Sequence, residues 1–552
     1  MAEVNEIAER YVTRSAELDP IGATNHGVAG YDHLMTDLSP AGFAARAELD
    51  DATITELGTT PAGTERDRVA RDAMLERLSV GRDLYRSGAE TSDLNVIASW
   101  LQGVRQVFDL MPVDGEQAQR DLAARMAQVP AAYAGLRETY LEAAGHGRVA
   151  PRRQVIACAK QCADWSADGS GFYSGLVART GAAGAMRSDL ERAAAGATDA
   201  TAEFGKFLET ELLPLAPEPD AAGRERYALA SRSFLGAVID LDEAYEWGWA
   251  EVRRIEAEMS RVAGQIVPGG SLADAIATLE ADPARRISGR DALRDWMQGV
   301  ADRTIADLDG THFDIPEPAR RIECMIAPTS DGGIYYTGPS EDWSRPGRMW
   351  WALPDGMDEF STWKELTTIY HEGVPGHHLQ VAQAVFLAGQ LNRWQRLMGW
   401  VAGHGEGWAL YAERLMDELG YLADPGDRLG MLDAQMLRAA RVVVDLGVHL
   451  ELPIPADSGW HPGERWNYDL AWEFLSSRVQ VDEQMLRFEL DRYLGWPGQA
   501  AAYKLGERIW LQARDDVRRR QGAAFDLKQF HTSALALGSL GLDPLREALS
   551  RL

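Results

Sequence analysis

Residues 362–380 of the 552-residue chain read TWKELTTIYHEGVPGHHLQ, and this stretch decides both the fold class and the chemistry. Thr362 and Glu365 have the spacing of a capping box, in which a hydroxyl and a carboxylate satisfy the first free N–H groups of a helix. The helical pattern then continues into a His–Glu pair, His371 and Glu372. The segment therefore predicts a helix that begins near Thr362 and carries this pair.

A His–Glu pair on a helix is half of a device used by zinc hydrolases, in which the histidine binds the metal and the glutamate takes a proton from water. The second histidine usually follows four residues after the first, but Pro375 occupies that position here. In a straight helix His377 would lie about 120° around from His371, and His378 about 10.5 Å along the axis. Because proline and glycine break helices, we expect a kink at Pro375-Gly376. This kink favours His377 as the second ligand and leaves His378 as the alternative.

A third ligand is predicted in GHGEGWALYAE, residues 403–413, which begins with glycines and then becomes helical. Glu406 and Glu413 are seven residues apart and therefore share one face of that helix, about 10 Å apart along its axis. Glu406 is the candidate third ligand. Glu413 is the candidate partner that orients a ligand imidazole by hydrogen bonding.

The rest of the chain has predominantly helical patterning, which predicts a mainly α protein. We expect an N-terminal helical scaffold lobe over residues 1–265 and a catalytic lobe over residues 266–552, joined in one continuous fold. Short runs rich in Ile and aromatic residues, between about residues 320 and 353, predict a small antiparallel β-sheet beside the active-site helices. Turn residues at 328–332 separate two of these strands, and the metal-site helices follow at about residues 362–420.

Four motifs together resemble the bacterial family catalogued as domain of unknown function 885, which looks like a distant branch of the helical gluzincin metallopeptidases such as carboxypeptidase Taq and thimet oligopeptidase. The motifs are HEGVPGHHLQ from His371, GHGEGWALYAE from Gly403, RVVVDLGVH from Arg441 and RYLGWPGQAAAYKLG from Arg492. The resemblance implies a two-lobed, metallopeptidase-like helical fold with a deep cleft. It also implies one Zn2+ per chain.

The resemblance implies roles for residues that match the motifs. His371, His377 and Glu406 would hold the zinc, Glu372 would act as general base, and Glu413 would support a ligand. The last motif contains Tyr503 and Tyr493, the first and second candidates for the donor that stabilises the oxyanion of the tetrahedral intermediate.

Several cations and one histidine are candidates for contacts with substrate. An enzyme that trims C-termini needs a cation for the substrate carboxylate, for which Arg is well suited because it binds carboxylates in a bidentate manner. The candidates are Arg492, Arg441 and Lys504, with His449 as a further catalytic candidate on the helix predicted at about residues 428–450. This helix carries a charged stripe, Arg438, Arg441, Asp445 and His449, at steps of three and four. Such a stripe equally fits a solvated face with ion pairs.

The overall charge limits the classes of binding partner that we expect. Lys and Arg total 56 against 84 Asp and Glu, a net charge of −28. Such a field repels phosphate backbones and anionic lipid heads, so we expect neither nucleic acid nor a membrane as partner. Only three cysteines and an N-terminus with no apolar signal region favour a cytoplasmic location.

These features predict a zinc-dependent hydrolase of peptide or related amide bonds in short substrates, of the carboxypeptidase or oligopeptidase type. Two alternatives remain open at this point. One is metal-dependent hydrolysis of a non-peptide small molecule, and the other is a catalytically inactive scaffold that binds a ligand. The sequence leaves the oligomeric state open.

Overall fold

The chain is mainly helical and carries a small three-stranded sheet, as the sequence predicts, together with a two-stranded sheet. The structure is a computed structural model that describes residues 2–167, 171–327, 333–354 and 356–551. None of the helices in these ranges combines the length and the apolar character that crossing a bilayer requires.

The chain folds into two compact units. The first comprises the described residues of Met1–Asp67, Met74–Ala230 and Arg487–Pro497, and the second those of Arg68–Ala73, Ser231–Leu486 and Gly498–Leu552. The main division therefore falls between residues 230 and 231, whereas the sequence predicted it near residue 265. The division into two lobes around a cleft stays a prediction.

Eleven helices precede residue 236 in the described ranges, and most of them belong to the first unit. They are α1 (Ala2–Leu18), α2 (Pro20–Asn25), α3 (Pro40–Thr59), α4 (Glu65–Ser87), α5 (Trp100–Gln106), α6 (Glu116–Met126), α7 (Val129–Gly145), α8 (Arg152–Trp165), α9 (Phe172–Arg179), α10 (Gly184–Phe207) and α11 (Arg224–Leu235). Apolar side chains of α5 to α10 form a buried core in this unit.

The second unit contains most of the remaining elements. Its helices and strands, together with α21, which leads into the first unit, are α12 (Leu241–Ile266), α13 (Leu272–Ala281), β1 (Arg286–Ser288), α14 (Arg290–Leu308), β2 (Ile322–Ile326), β3 (Ile334–Thr337), β4 (Gly347–Trp351), β5 (Glu359–Ser361), α15 (Thr362–Glu372), α16 (His377–Phe386), α17 (Arg393–Leu397), α18 (Ala402–Glu418), α19 (Pro425–His449), α20 (Tyr468–Ser476), α21 (Glu483–Gly495), α22 (Gln499–Gln521), α23 (Leu527–Leu535) and α24 (Leu542–Ser550).

The predicted strands are present, but the antiparallel prediction is wrong for one pair. The three-stranded sheet has the order β2-β4-β3, in which β4 runs parallel to β2 and antiparallel to β3. Strands β1 and β5 form a separate antiparallel pair. Side-chain alternation reports which face of a strand is buried, and it carries no information about strand direction. The turn predicted at residues 328–332 lies outside the described residues.

Helix α15 begins at Thr362 as predicted, but the capping box is absent. Its N-cap is Ser361, with no side-chain cap hydrogen bond. Glu365 Oε2 instead accepts a hydrogen bond of 2.8 Å from the indole Nε1 of Trp351 on β4. The carboxylate is thus used to tie the sheet to α15, a tertiary contact that the local spacing does not reveal.

Helices of the second unit approach one another closely at glycines. A Cβ added to Gly430 of α19 would lie 1.8 Å from the backbone oxygen of Trp363 on α15. Between α18 and α22, a Cβ on Gly407 would lie 2.5 Å from the carbonyl carbon of Gly506. These positions require glycine, since any side chain would push the backbones apart. The site helices α15 and α18 are thereby set at short, fixed distances from their neighbours.

Gly430→Ala should destabilise the protein. The added methyl group has no room and should cost about 1–3 kcal/mol of unfolding free energy, as overpacking does. The matched control is Gly264→Ala in α12, where nothing lies within 4 Å of the added Cβ. That change should be neutral or stabilise by up to about 1 kcal/mol through helix propensity. Urea unfolding midpoints of both variants measure this, and equal midpoints would contradict the packing argument.

Candidate metal centre

The helix that carries the His–Glu pair ends directly after it. Helix α15 stops at Glu372 and α16 begins at His377. In between, the N–H of Gly376 donates to the carbonyl oxygen of Tyr370 over 3.0 Å. A Cβ on Gly376 would lie 1.9 Å from the carbonyl oxygen of His371, so this turn requires glycine. The structure therefore contains the helix break that the sequence predicts.

Trp408 of α18 holds this break in place. Its indole Nε1 donates to the carbonyl oxygen of Pro375 over 2.9 Å and lies 3.3 Å from that of Gly376. Trp408 is fully buried and lies two residues after Glu406 on the same helix. The segment that supplies the glutamate thus also fixes the backbone in front of His377.

Three side chains converge at the break. His371 Nε2 lies 3.4 Å from Glu406 Oε2, and His377 Nε2 lies 3.5 Å from the same oxygen. One potential ligand atom from each residue falls within 4.8 Å of the other two. The two imidazole rings are almost perpendicular, at 89°, with centroids 4.9 Å apart. The predicted first, second and third ligands are brought together in this way.

The two separations that involve Glu406 Oε2 match those between ligands of a tetrahedral metal ion. Nitrogen and oxygen ligands about 2.0–2.1 Å from a tetrahedral zinc lie roughly 3.4 Å from one another. Separations of 3.4 and 3.5 Å are also long for hydrogen bonds between imidazole and carboxylate. Two histidines and one glutamate are a donor set that catalytic zinc sites use, with a fourth position left for water or substrate.

Glu413 orients the first histidine. Its Oε1 lies 2.8 Å from Nδ1 of His371, and its Oε2 accepts a 2.7 Å hydrogen bond from the Thr367 hydroxyl. Because a carboxylate only accepts, Nδ1 carries the proton in this pair, and the other ring nitrogen faces Glu406. Burial lowers the pKa of His371, but the carboxylates of Glu406 and Glu413 outweigh it and raise that pKa to about 10. The surroundings of this imidazole therefore strongly favour a positive charge.

Glu372 lies beside this cluster and is itself buried, with 6% of its surface exposed. Its Oε2 has no hydrogen-bond partner among the described residues. Burial raises the pKa of Glu372, and the neighbouring His377 and His371 oppose this shift only in part. A carboxylate of raised pKa accepts a proton near neutral pH more readily than an exposed one, as a general base requires.

His378, the alternative second ligand, lies outside the cluster. Its Nε2 is 2.8 Å from the carbonyl oxygen of Ala319, and its Nδ1 is 2.9 Å from the hydroxyl of Tyr336 on β3. Burial lowers its pKa to about 4. Successive side chains on a helix point about 100° apart, so only one of the two neighbouring histidines reaches the cluster.

The predicted substrate-binding residues of α19 and α22 have partners of their own. The guanidinium of Arg441 lies over the ring of Tyr503, 4.8 Å from its centroid. Lys504 is buried and forms ion pairs with Glu251, at 3.2 Å, and with Glu507. Because two carboxylates already balance its charge, Lys504 is unsuited to binding a substrate carboxylate.

His449 is also buried. Its Nε2 lies 3.6 Å from Oδ1 of Asp445, one turn earlier on α19. Asp445 Oδ2 accepts a hydrogen bond of 3.0 Å from the backbone N–H of Gly498. This arrangement links the end of α19 to the start of α22. Asp445 and His449 of the charged stripe therefore have a structural role.

Arg492 and Tyr493 belong to the first unit, although the sequence prediction assigned them to the catalytic lobe. The Tyr493 hydroxyl donates to Glu489 Oε2 over 2.6 Å, and an Arg492 nitrogen lies 3.3 Å from the same oxygen. The chain passes from one unit to the other between Pro497 and Gly498. The role of Tyr493 as second candidate for the oxyanion donor stays a prediction.

Arg438 is a candidate that the sequence reasoning missed. It is half-buried on α19, and its Nη1 donates to the carbonyl oxygen of Ala434 over 3.1 Å. Its Nε is buried with no hydrogen-bond partner among the described residues. Burial raises the pKa of Glu372, and the positive charge of Arg438 lies close enough to reduce that increase. The same charge also helps to lower the pKa of Glu413. Arg438 lies in the charged stripe, but residue spacing along one helix does not reveal how far Arg438 lies from His371 and Glu372.

A family model described as a bacterial protein of unknown function, DUF885, matches residues 20–549. The chain belongs to this family. The fold is similar to a crystal structure described as a "putative lipoprotein" from Colwellia psychrerythraea, with a TM-score of 0.84 and 22% identity, covering 100% of this chain and 99% of that one. It is also similar to a solved structure described as a "putative lipoprotein of unknown function" from Shewanella oneidensis, with a TM-score of 0.77 and 17% identity, covering 99% of each chain. A comparison with curated proteins finds no match.

Membership of the family confirms that part of the predicted resemblance. The two solved structures show a shared fold and carry no statement about activity. The resemblance to gluzincin metallopeptidases stays a prediction.

Zinc content should distinguish the two neighbouring histidines. We expect about one zinc per chain in the wild type, loss of metal in His371→Ala and His377→Ala, and retention in His378→Gln, because only the first two face Glu406. Elemental analysis of protein purified without a His tag measures this. Retention of zinc in His377→Ala with loss in His378→Gln would contradict the cluster.

Proposed function

We propose that the protein is a zinc-dependent hydrolase of peptide or related amide bonds in short substrates. The observation that supports this most directly is the convergence of His371, His377 and Glu406, with a buried Glu372 of raised pKa next to them. A metal-binding donor set and an adjacent base are the two parts that metal-assisted hydrolysis requires.

When bound, zinc would act as a Lewis acid towards the substrate carbonyl and a water molecule. The chain's own residues would do the rest. Glu372 accepts the proton of the attacking water and transfers it to the leaving nitrogen. Glu413 and Thr367 keep the His371 ring in one orientation. Tyr503 is the proposed donor to the oxyanion. It lies one turn before Gly506, the glycine of α22 that approaches α18.

Burial of the site favours short substrates. His371 and His377 are 4% and 6% exposed, so the surface of a folded protein would not reach the atoms that hold the metal. A flexible peptide or a small amide can enter such a site at a much smaller conformational cost.

Arg438 is the proposed cation for a carboxylate of the substrate. Its charge acts on Glu372, and its Nε is buried without a partner among the described residues, so a bound carboxylate would gain a charge-assisted hydrogen bond. This contact would give the enzyme a carboxypeptidase-like preference for peptides with a free C-terminus.

Glu372→Gln should keep the zinc and abolish turnover. An amide cannot accept the proton of water, so we expect a rate loss of about a hundred- to ten-thousand-fold. Glu365→Gln on the same helix is the matched control, because Glu365 contacts Trp351 and an amide oxygen can still accept that hydrogen bond. The readouts are zinc content and cleavage of a panel of short peptides.

The outcomes separate the alternatives. Wild-type turnover that survives Glu372→Gln refutes the mechanism. Zinc binding without cleavage of any peptide, but with hydrolysis of non-peptide esters or amides, favours a small-molecule hydrolase. Zinc binding without hydrolysis of either class favours an inactive scaffold that binds a ligand.

Arg438→Gln should remove the preference for a free C-terminus. For peptides with free and amidated ends, we expect the ratio of kcat/KM values to fall by about tenfold or more, since a charge-assisted hydrogen bond is lost. Arg441→Gln, which loses the contact with the Tyr503 ring, is the comparison variant. A ratio that falls in Arg441→Gln and is unchanged in Arg438→Gln would assign the carboxylate to Arg441.

A further inference from the structure

Trp400 is an exposed tryptophan that lies against the candidate metal centre. It stands two residues before the start of α18, and 51% of its surface is exposed. The centroid of its indole ring lies 6.1 Å from that of the His377 imidazole, and the two ring planes are inclined at 54°. The indole therefore neighbours a proposed metal ligand while about half of its surface faces solvent.

Two glycines fix the position of this indole. A Cβ added to Gly405 of α18 would lie 2.2 Å from Cη2 of Trp400 and 2.5 Å from its Cζ2, so the six-membered ring rests directly on this glycine. A Cβ added to Gly399 would lie 2.9 Å from the carbonyl oxygen of Gln395 and 3.1 Å from that of Ser539. Since a side chain at either glycine would displace the ring or the backbone that carries it, the indole is held in one place.

The metal centre is most accessible to solvent at Glu406. The side chain of Glu406 is 18% exposed, whereas those of His371 and His377 are 6% and 7% exposed. Gly405, the glycine beneath the indole of Trp400, immediately precedes this glutamate. A molecule that reaches the ligand atoms from solvent therefore approaches them close to the indole.

The distance between the rings suits a side chain that flanks the scissile bond. The 6.1 Å from the imidazole of His377 to the indole is less than the span of two extended residues, about 7 Å. A peptide whose scissile bond lies at the ligand atoms therefore brings the side chain of a neighbouring residue to Trp400.

The chemistry of the indole favours an apolar group at this position. An aromatic ring buries a large apolar area against indole and adds a favourable ring–ring contact. A cation can also lie on the face of an indole. A divalent cation held by the adjacent His377 would repel such a group, which leaves the apolar side chain as the favoured occupant.

We propose that Trp400 binds an apolar, preferably aromatic, side chain of the substrate residue next to the scissile bond. This inference rests on the proposed function and specifies the class of peptide or amide that the site accepts. Trp400 determines specificity in this role, because it contacts the substrate beside the bond that breaks and takes no part in proton transfer.

A binding experiment tests this contact without turnover. The probes are acetohydroxamic acid and 3-phenylpropanohydroxamic acid, which share a metal-binding group and differ in the phenyl ring. Isothermal titration of the zinc-loaded wild type should show tighter binding of the phenyl probe. In Trp400→Ala we expect the ratio of the two Kd values to fall about five- to tenfold, the effect of one aromatic contact, with the affinity for acetohydroxamic acid unchanged.

Phe386→Ala is the matched control. Phe386 is as exposed as Trp400, at 51%, but it stands nine residues after His377 and thus about 13 Å further along α16. This variant should leave the ratio unchanged. Trp400→Phe keeps an aromatic ring and should retain part of the preference for the phenyl probe. The zinc content of every variant verifies that the three ligands are intact.

Fluorine-19 NMR identifies the side chain that the probe contacts. In protein labelled with 5-fluorotryptophan, the signal of Trp400 is the one absent from Trp400→Phe, and the phenyl probe should shift it more than acetohydroxamic acid does. An unchanged ratio in Trp400→Ala, equal losses of affinity for both probes, or an unmoved Trp400 signal overturns the inference. The same holds if the cationic 4-aminobutanohydroxamic acid loses more affinity in Trp400→Ala than the phenyl probe.

Peptide cleavage separates this inference from the proposed function. Among acetyl-Ala-Ala-Phe, acetyl-Ala-Phe-Ala and acetyl-Ala-Ala-Ala, the wild type should prefer a Phe peptide, and Trp400→Ala should lose that preference. Cleavage without such a loss overturns the role of Trp400 and leaves the proposed function intact. Absence of cleavage of every peptide by the zinc-loaded wild type instead overturns the proposed function, while the ratio of Kd values still decides whether Trp400 binds an apolar group.

Discussion

Burial of negative charge is the constraint on which the site depends. The buried Glu372 and Glu413 and the partly buried Glu406 lie in one region with two imidazoles. A buried carboxylate costs several kcal/mol unless it is paired. Glu413 is balanced by the ring of His371 and the hydroxyl of Thr367, whereas Glu372 Oε2 has no hydrogen-bond partner in the described part of the chain. Arg438 contributes one positive charge to this region. A divalent cation between the two imidazoles and Glu406 would balance the remainder, so the electrostatics of the fold and the proposed chemistry call for the same ion.

The helix break solves a geometric problem that the motif spacing creates. With Pro375 at the usual position of the second histidine, an unbroken α15 would direct His377 away from His371. The short turn that ends at Gly376 begins a new helix at His377, and Trp408 fixes its carbonyl groups from α18. The two ligands therefore come from two helices joined by a turn, and the third comes from the helix that holds the turn. The donor atoms meet because three helices pack together, so the cluster depends on tertiary structure more than a motif on one straight helix would.

Sequence reasoning succeeded where local chemistry determines the structure. Pro375 and Gly376 dictate a break whatever surrounds them. The start of α15 at Thr362 was predicted correctly, although the capping box from which it was predicted is absent. Sequence reasoning failed where a distant element competes for the same group. Glu365 has capping-box spacing, but its carboxylate accepts a hydrogen bond from Trp351. The pairing direction of β2 and β4 and the proximity of Arg438 to Glu372 also depend on long-range packing, which no spacing within a segment encodes.

Two adjacent histidines illustrate how the same residue type takes different tasks a single position apart. His377 lies among carboxylates, with one ring nitrogen facing Glu406, which is the environment that a metal ligand needs. His378 faces a backbone carbonyl and a phenol, and this environment fixes one neutral tautomer. Substituting either residue would alter a different property of the protein: the first changes what holds the cation in the proposed site, and the second removes a contact between α16 and the small sheet. A doubled histidine after the break is therefore better explained by two distinct functions than by a redundant ligand, because rotation by one residue along α16 separates the cluster from the sheet.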